Sequence, residues 1–129
     1  MDYKRQIILE IKGNCIVKKN QYKYTRKGGK SWGYKPKNVV DYIDSALLQL
    51  EVQIRKYQKT SLPIYGDVAV YLWFDIMGKD KDIDGMTTTI YDILQKAEVI
   101  KNDNQITDDG HHKERNQPED VVRILIQEL

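Results

Sequence analysis

Three aspartates stand where they could do chemistry together. Asp82 and Asp84 flank Ile83 in Lys81-Asp82-Ile83-Asp84-Gly85, and Asp103 follows in Lys101-Asn102-Asp103-Asn104-Gln105-Ile106. Converging carboxylates repel one another unless a hard cation neutralises them. Magnesium suits such a site, because it takes oxygen ligands in octahedral geometry, keeps several waters and leaves room for a substrate phosphate. A metal so held polarises a phosphodiester and lowers the pKa of an attacking water. Inside a regular helix, residues two apart do not face each other. At a helix start the backbone is not yet helical, so both Asp82 and Asp84 can point the same way. These residues also have an ordinary reading, since capping and the helix dipole favour aspartate at a helix start.

A second group could grip a polyanion. The stretch from Lys18 to Lys37 interleaves Lys18, Lys19, Lys23, Arg26, Lys27, Lys30 and Lys35 with Tyr22, Tyr24, Trp32 and Tyr34. Lysine and arginine neutralise phosphates and release counterions. Aromatic rings stack on unpaired bases or wedge into a junction; the competing reading packs Trp32 and Tyr34 on the core. Gly28-Gly29 and Gly33 interrupt the stretch, which reads as a long loop or hairpin. Residues 1 to 38 sum to +9, so the remainder sums to −7 in a chain of net +2. That asymmetry separates a polyanion-binding segment from a part able to hold cations.

The elements that must position these groups follow from hydrophobic period. Ile7-Ile8-Leu9-Glu10-Ile11 reads as a strand, and Cys15-Ile16-Val17, beyond a turn at Gly13-Asn14, as a second strand or return arm. Asn38 to Tyr57 reads as a helix, with Asn38 as N-cap and Asp41 as its capping-box acid. Val68 to Ile76 is a strand with both faces apolar, which predicts a central place in its sheet. Asp82 to Ala97 is a second helix with an apolar stripe through Met86, Ile90, Ile93 and Leu94. Gln105 to His112 and Val121 to Gln127 close the sheet. The expectation is an α+β fold, one mixed sheet with two main helices, in a single domain over 1–129. The strand–helix–strand layout suggests a return of Asp103 beside Asp82 and Asp84.

Composition narrows the class. At 129 residues, 40% hydrophobic and 31% charged, the chain reads as soluble and globular. No apolar run approaches the ~20 residues that cross a bilayer, and the start lacks a signal-peptide pattern, so a cytoplasmic protein without membrane contact is expected. The single Cys15 excludes an intramolecular disulfide and a thiolate zinc cage, and its apolar setting points to a buried thiol. His111 and His112 read as an exposed strand end in preference to ligands. Thr87-Thr88-Thr89 is unusual inside a helix; the hydroxyls either face the site or bond back to helix carbonyls.

Asp82-Ile83-Asp84-Gly85, an amphipathic helix, then Val99-Ile100-Lys101-Asn102-Asp103-Asn104-Gln105-Ile106 resembles the signature of the RusA family of Holliday-junction resolvases. Val17-Lys18-Lys19-Asn20-Gln21 is similar to the family's polar turn after its first strand, and Lys113 falls where members often carry a lysine. The resemblance implies a homodimer that cleaves four-way DNA junctions with magnesium or manganese. It implies Asp82, Asp84 and Asp103 as catalytic metal ligands, with Lys113, Asn20 and the basic arm on DNA. The chain departs from the pattern at three places: Gly85 stands for an asparagine, Thr88 for a lysine one helical turn beyond Asp84, and Asn102 for an acid. The residues alone leave open a module that binds branched DNA without cutting, a nuclease for other branches, and an RNA-binding protein.

Overall fold

The computed structural model describes residues 4–17, 23–27, 30–34, 37–57 and 62–129. Its elements are β1 (Gln6–Lys12), β2 (Lys23–Lys27), β3 (Lys30–Tyr34), α1 (Lys37–Ile54), β4 (Val68–Asp75), α2 (Ile83–Lys96), β5 (Ile106–Glu114) and β6 (Val121–Glu128). Four strands form one sheet in the order β1-β6-β4-β5. β6 runs antiparallel to both β1 and β4, whereas β4 and β5 are parallel. This is the mixed sheet with two main helices that the sequence predicts. No helix among the described residues is long and apolar enough to cross a membrane.

Side-chain alternation sorts the sheet into a core face and an open face. Ile7, Ile126 and Val70 share one cross-strand row, followed by Leu9, Ile124 and Leu72, then Ile11, Val122 and Phe74. All nine are buried, and they join Val39, Ala46 and Leu50 of α1 and Met86, Ile90, Ile93 and Leu94 of α2 in one core. β4 is central as expected, but only one of its faces is fully covered. Trp73 is 42% exposed and Ile8 of β1 is 57% exposed, because both helices pack on the same side.

Helix α1 closes one edge of the sheet with side chains. Gln49 bonds the N–H and C=O of Lys12 at 2.8 and 2.9 Å, and Gln53 those of Glu10 at 2.7 Å each. Tyr57, in the 3-10 turn Arg55–Tyr57, does the same for Ile8 at 3.0 and 3.3 Å. Three residues at i, i+4 and i+8 thus mimic a neighbouring strand and satisfy groups that an edge leaves open. The helix begins one residue earlier than the sequence suggests, so Asn38 lies inside its first turn and Asp41 pairs with Lys37 at 2.9 Å instead of capping. Cys15 to Val17 is no strand; it is a buried link whose thiol is pushed up to about 12 by burial.

α2 ends in a Schellman motif. Val99 N–H donates to Leu94 O at 3.0 Å and Glu98 N–H to Gln95 O at 3.0 Å, with Glu98 at φ 58°. A left-handed residue here favours glycine. Glu98→Gly should therefore raise stability by about 0.5–1 kcal/mol in denaturant unfolding; destabilisation would contradict the cap assignment.

Candidate active site and nucleic-acid interface

The loop after β4 carries the first two aspartates to the start of α2. Asp82 is the N-cap, with extended backbone at φ −69° and ψ 120°, and its side chain makes no capping bond. Asp84 sits in the first turn. Both are exposed, at the end of the helix where its dipole favours negative charge.

Three interactions fix this corner against the link that precedes the basic arm. The Lys81 ammonium donates to Cys15 O, and the Thr89 hydroxyl donates to Ile16 O at 2.9 Å. Gly85 faces Val17, and a Cβ built on Gly85 would lie 3.2 Å from the Val17 Cβ and inside contact with its methyl. Burial holds the Lys81 ammonium below its usual pKa. The glycine that departs from the family pattern is thus required by Val17. Gly85→Asn should cost about 1–3 kcal/mol by overpacking, and Val17→Ala in the same chain should recover most of it in thermal melts. Additive losses would show that Val17 is not the obstacle.

Lys113 serves this corner from β5. Its ammonium reaches the Asp80 carboxylate and Lys81 O, each at 2.8 Å, with its side chain only 16% exposed. Arg115 meets the other Asp80 oxygen at 2.9 Å. Lys113 first, then Arg115, lowers the Asp80 carboxyl to about 2. A depressed carboxyl contributes stability above its unfolded value of about 3.9 and loses it as pH falls toward the folded value. Titration by NMR should place Asp80 near 2 and move it up toward the ordinary range in Lys113→Met. Lys113, expected on DNA, is engaged with the loop that leads to Asp82.

Asp103 lies elsewhere. It opens the 3-10 turn Asp103–Gln105 just before β5, and its N–H donates to Gln95 Oε1 at 3.2 Å. Three turns of helix, roughly 16 Å at 1.5 Å per residue, separate Gln95 from Asp84. The expected return of Asp103 beside the first pair does not occur within one copy. The physical reason is the parallel pairing of β4 with β5. The helix between them runs back along the sheet, so the chain re-enters at the beginning of β4, with Ile106 beside Val68. Among the described residues, no three His, Cys, Asp or Glu side chains group closely enough to hold a metal. Asp82 and Asp84 remain a two-carboxylate donor set, which fits a hydrated magnesium completed by substrate phosphate, and does not fit a three-carboxylate site in one copy.

The turn holding Asp103 is tied down by Gln105, which the sequence offers only as one position of the family signature. Its amide donates to Ile64 O at 2.7 Å and Gly66 O at 2.8 Å, and its oxygen accepts from Lys101 and Asn102 N–H at 2.7 and 2.8 Å. Asn102 caps the turn through its bond from Asn104 N–H at 2.9 Å. Asparagine caps as well as aspartate, which accounts for the third departure. Beside the turn, the Tyr91 hydroxyl donates to Asp109 at 3.1 Å, and burial, then Asp109, raises its pKa.

Of the basic arm, Lys23, Arg26, Lys27 and Lys30 fall on β2 and β3, which pair antiparallel from Lys23↔Tyr34 to Lys27↔Lys30. The described part of this stretch is therefore a pair of antiparallel strands, in keeping with the hairpin alternative. Lys18, Lys19, Asn20 and Lys35 lie outside the described residues. His111 and His112 are exposed on β5, with His112 bonded to Glu114 at 2.6 Å. Thr88 donates back to Asp84 O at 2.9 Å, as one of the two threonine readings has it.

The structure gives an α+β fold with an acidic helix start and a two-stranded ribbon carrying basic residues, and comparison with known proteins gives the family. No family model matches the chain. It is 34% identical over 91 residues to the crossover junction endodeoxyribonuclease RusA of Aquifex aeolicus (strain VF5), covering 70% of this chain and 67% of that protein. The chain belongs to the RusA family.

Proposed function

We propose that this protein is a magnesium-dependent endodeoxyribonuclease that resolves four-way DNA junctions as a homodimer in the cytoplasm. The observation that carries the reading is the exposed Asp82–Asp84 pair at the first turn of α2, packed against the link from which the basic arm departs. A RusA relative named for crossover-junction cleavage supports it. Asp82 and Asp84 would hold magnesium or manganese, which when bound polarises the phosphodiester and eases deprotonation of a water. The chain's own part is positioning. Lys81 and Thr89 pin the corner, Lys113 and Arg115 pin Asp80, and the Lys18–Lys37 arm supplies positive charge for the junction backbones.

A panel of four-way, flap, splayed and linear DNAs at one salt concentration tests the substrate. Symmetric nicks in the four-way junction alone support the reading; equal cutting of flaps would replace it with a general branch nuclease. One observation favours a binding module without cleavage: Thr88, one turn beyond Asp84, is neutral and bonded to the helix. Tight junction binding without nicks in any metal, with nicking gained in Thr88→Lys, would establish that reading instead.

A further inference from the structure

Three cations, Lys81, Lys113 and Arg115, are bonded at the corner that carries Asp82 and Asp84, and they differ in what they leave to solvent. The Lys81 ammonium is half-buried and donates to Cys15 O. Lys113, with a side chain 16% exposed, divides its ammonium between Asp80 and Lys81 O. Arg115 is different. Its side chain is 61% exposed, and it uses only Nε, on Asp80 Oδ2 at 2.9 Å. Asp80 is its one side-chain partner among the described residues, so both terminal amino groups keep their donors.

The backbone sets Arg115 in this place. Ile76, the residue after β4, donates its N–H to Glu114 O at 2.8 Å and accepts from Gln117 N–H at 2.9 Å. Arg115 and Asn116 thus form a short arch clasped on the β4 exit. Asn116 turns the arch at φ 60°, a conformation that asparagine tolerates. The Gln117 amide returns to Arg115 O at 3.1 Å, and Met77 N–H donates to Asp120 Oδ1 at 2.9 Å at the far end of the connection.

An exposed ion pair adds little to stability, so the bond from Arg115 to Asp80 matters more for aim than for folding. A hydrogen bond at Nε fixes the plane of the guanidinium and leaves its terminal edge open to solvent. That edge presents parallel N–H donors, which match the oxygens of a phosphate. Asp80 precedes Asp82 by two residues, at most about 7 Å along the chain. A phosphate taken by Arg115 is therefore a close neighbour of one held at the Asp82–Asp84 pair. We infer that Arg115 grips a backbone phosphate beside the scissile one, with Asp80 aiming its guanidinium. Taking DNA as the ligand rests on the proposed nuclease reading.

Junction binding by the full chain, titrated across salt in chelator so that nothing is cut, tests the contact without any need for catalysis. Arg115→Met should weaken binding roughly tenfold and make the log–log salt slope shallower by about 0.9, the loss of one neutralised phosphate. Arg115→Lys should keep the slope and lose part of the affinity, because it keeps the charge and loses the paired donors. Asp80→Asn separates a phosphate contact from a merely structural pair. It removes an anion and keeps the guanidinium, so it should bind the junction more tightly than wild type. Neutral methylphosphonates placed singly around the crossover should reveal one position that weakens wild type and leaves Arg115→Met unaffected. An unchanged slope in Arg115→Met, or equal weakening in Arg115→Met and Asp80→Asn, would overturn the inference, the second by showing that Arg115 acts only through the carboxylate. A wild-type protein that binds and nicks junctions with the slope unmoved in Arg115→Met sinks this inference alone. A wild-type protein that binds no junction sinks the nuclease reading, and the phosphate contact with it.

Discussion

Asp84→Asn should reduce junction nicking by roughly 10³-fold or more while leaving the fold and DNA binding in place. Asp84 is exposed and its carboxylate is not the helix cap, a position held by Asp82. The amide keeps the shape of the carboxylate and removes its charge. Stability should therefore change by no more than about 0.5 kcal/mol, the usual range for a surface substitution. Catalysis has more to lose. A metal ligand stabilises transition-state charge by several kcal/mol, and each ~1.36 kcal/mol is tenfold in rate. The measurements are single-turnover nicking, a melting curve and junction binding on one preparation. Unchanged nicking would remove the carboxylate pair from the chemistry. A large fall in melting temperature would instead assign Asp84 a structural role.

The largest stability effect should come from Gln105→Leu. Gln105 is 8% exposed and makes four bonds to backbone groups of Ile64, Gly66, Lys101 and Asn102. Leucine fits the volume and satisfies none of them. Each buried group left unpaired costs about 1–3 kcal/mol, but residues 101 and 102 are exposed, so water can replace part of the loss. A net cost of about 3–5 kcal/mol is expected. That corresponds to a melting temperature lower by roughly 10–20 °C in a domain of this size. Gln105→Glu keeps the acceptor but sets a carboxylate oxygen against Ile64 O and Gly66 O, so it should cost at least as much at neutral pH. A change under about 1 kcal/mol for Gln105→Leu would mean that the linker at 64–66 and the Asp103 turn hold each other by other means.

Much of the fold was legible because apolar period reports burial. β4, α2, β5 and β6 lie within a residue or two of their expected bounds, since Val68, Val70, Leu72 and Phe74 alternate and Met86, Ile90, Ile93 and Leu94 follow a helical stripe. Period does not report which face of a sheet a helix covers, so the second apolar face of the Val68 to Ile76 strand reads as covered, yet Trp73 on it is exposed. It does not separate a buried link from a strand either, as Cys15 to Val17 shows. The site was legible in its residue types and order, including the helix start at Asp82. Its assembly was not, because strand direction decides where a chain re-enters a sheet. Asp103 returns beside Val68 under parallel pairing, and nothing in the local pattern states that β4 and β5 are parallel. Gln105 was visible only as a letter in the family pattern. Its four backbone partners include Ile64 and Gly66, which lie far from it in sequence and which no local reading connects.

The most direct test of the central claim is strand cleavage of a synthetic four-way junction by the wild-type protein in magnesium, manganese or chelator. Paired, symmetric nicks are expected in either metal and none in chelator. Nicking that persists in chelator, or a junction bound tightly and left intact in both metals, would contradict metal-dependent resolution.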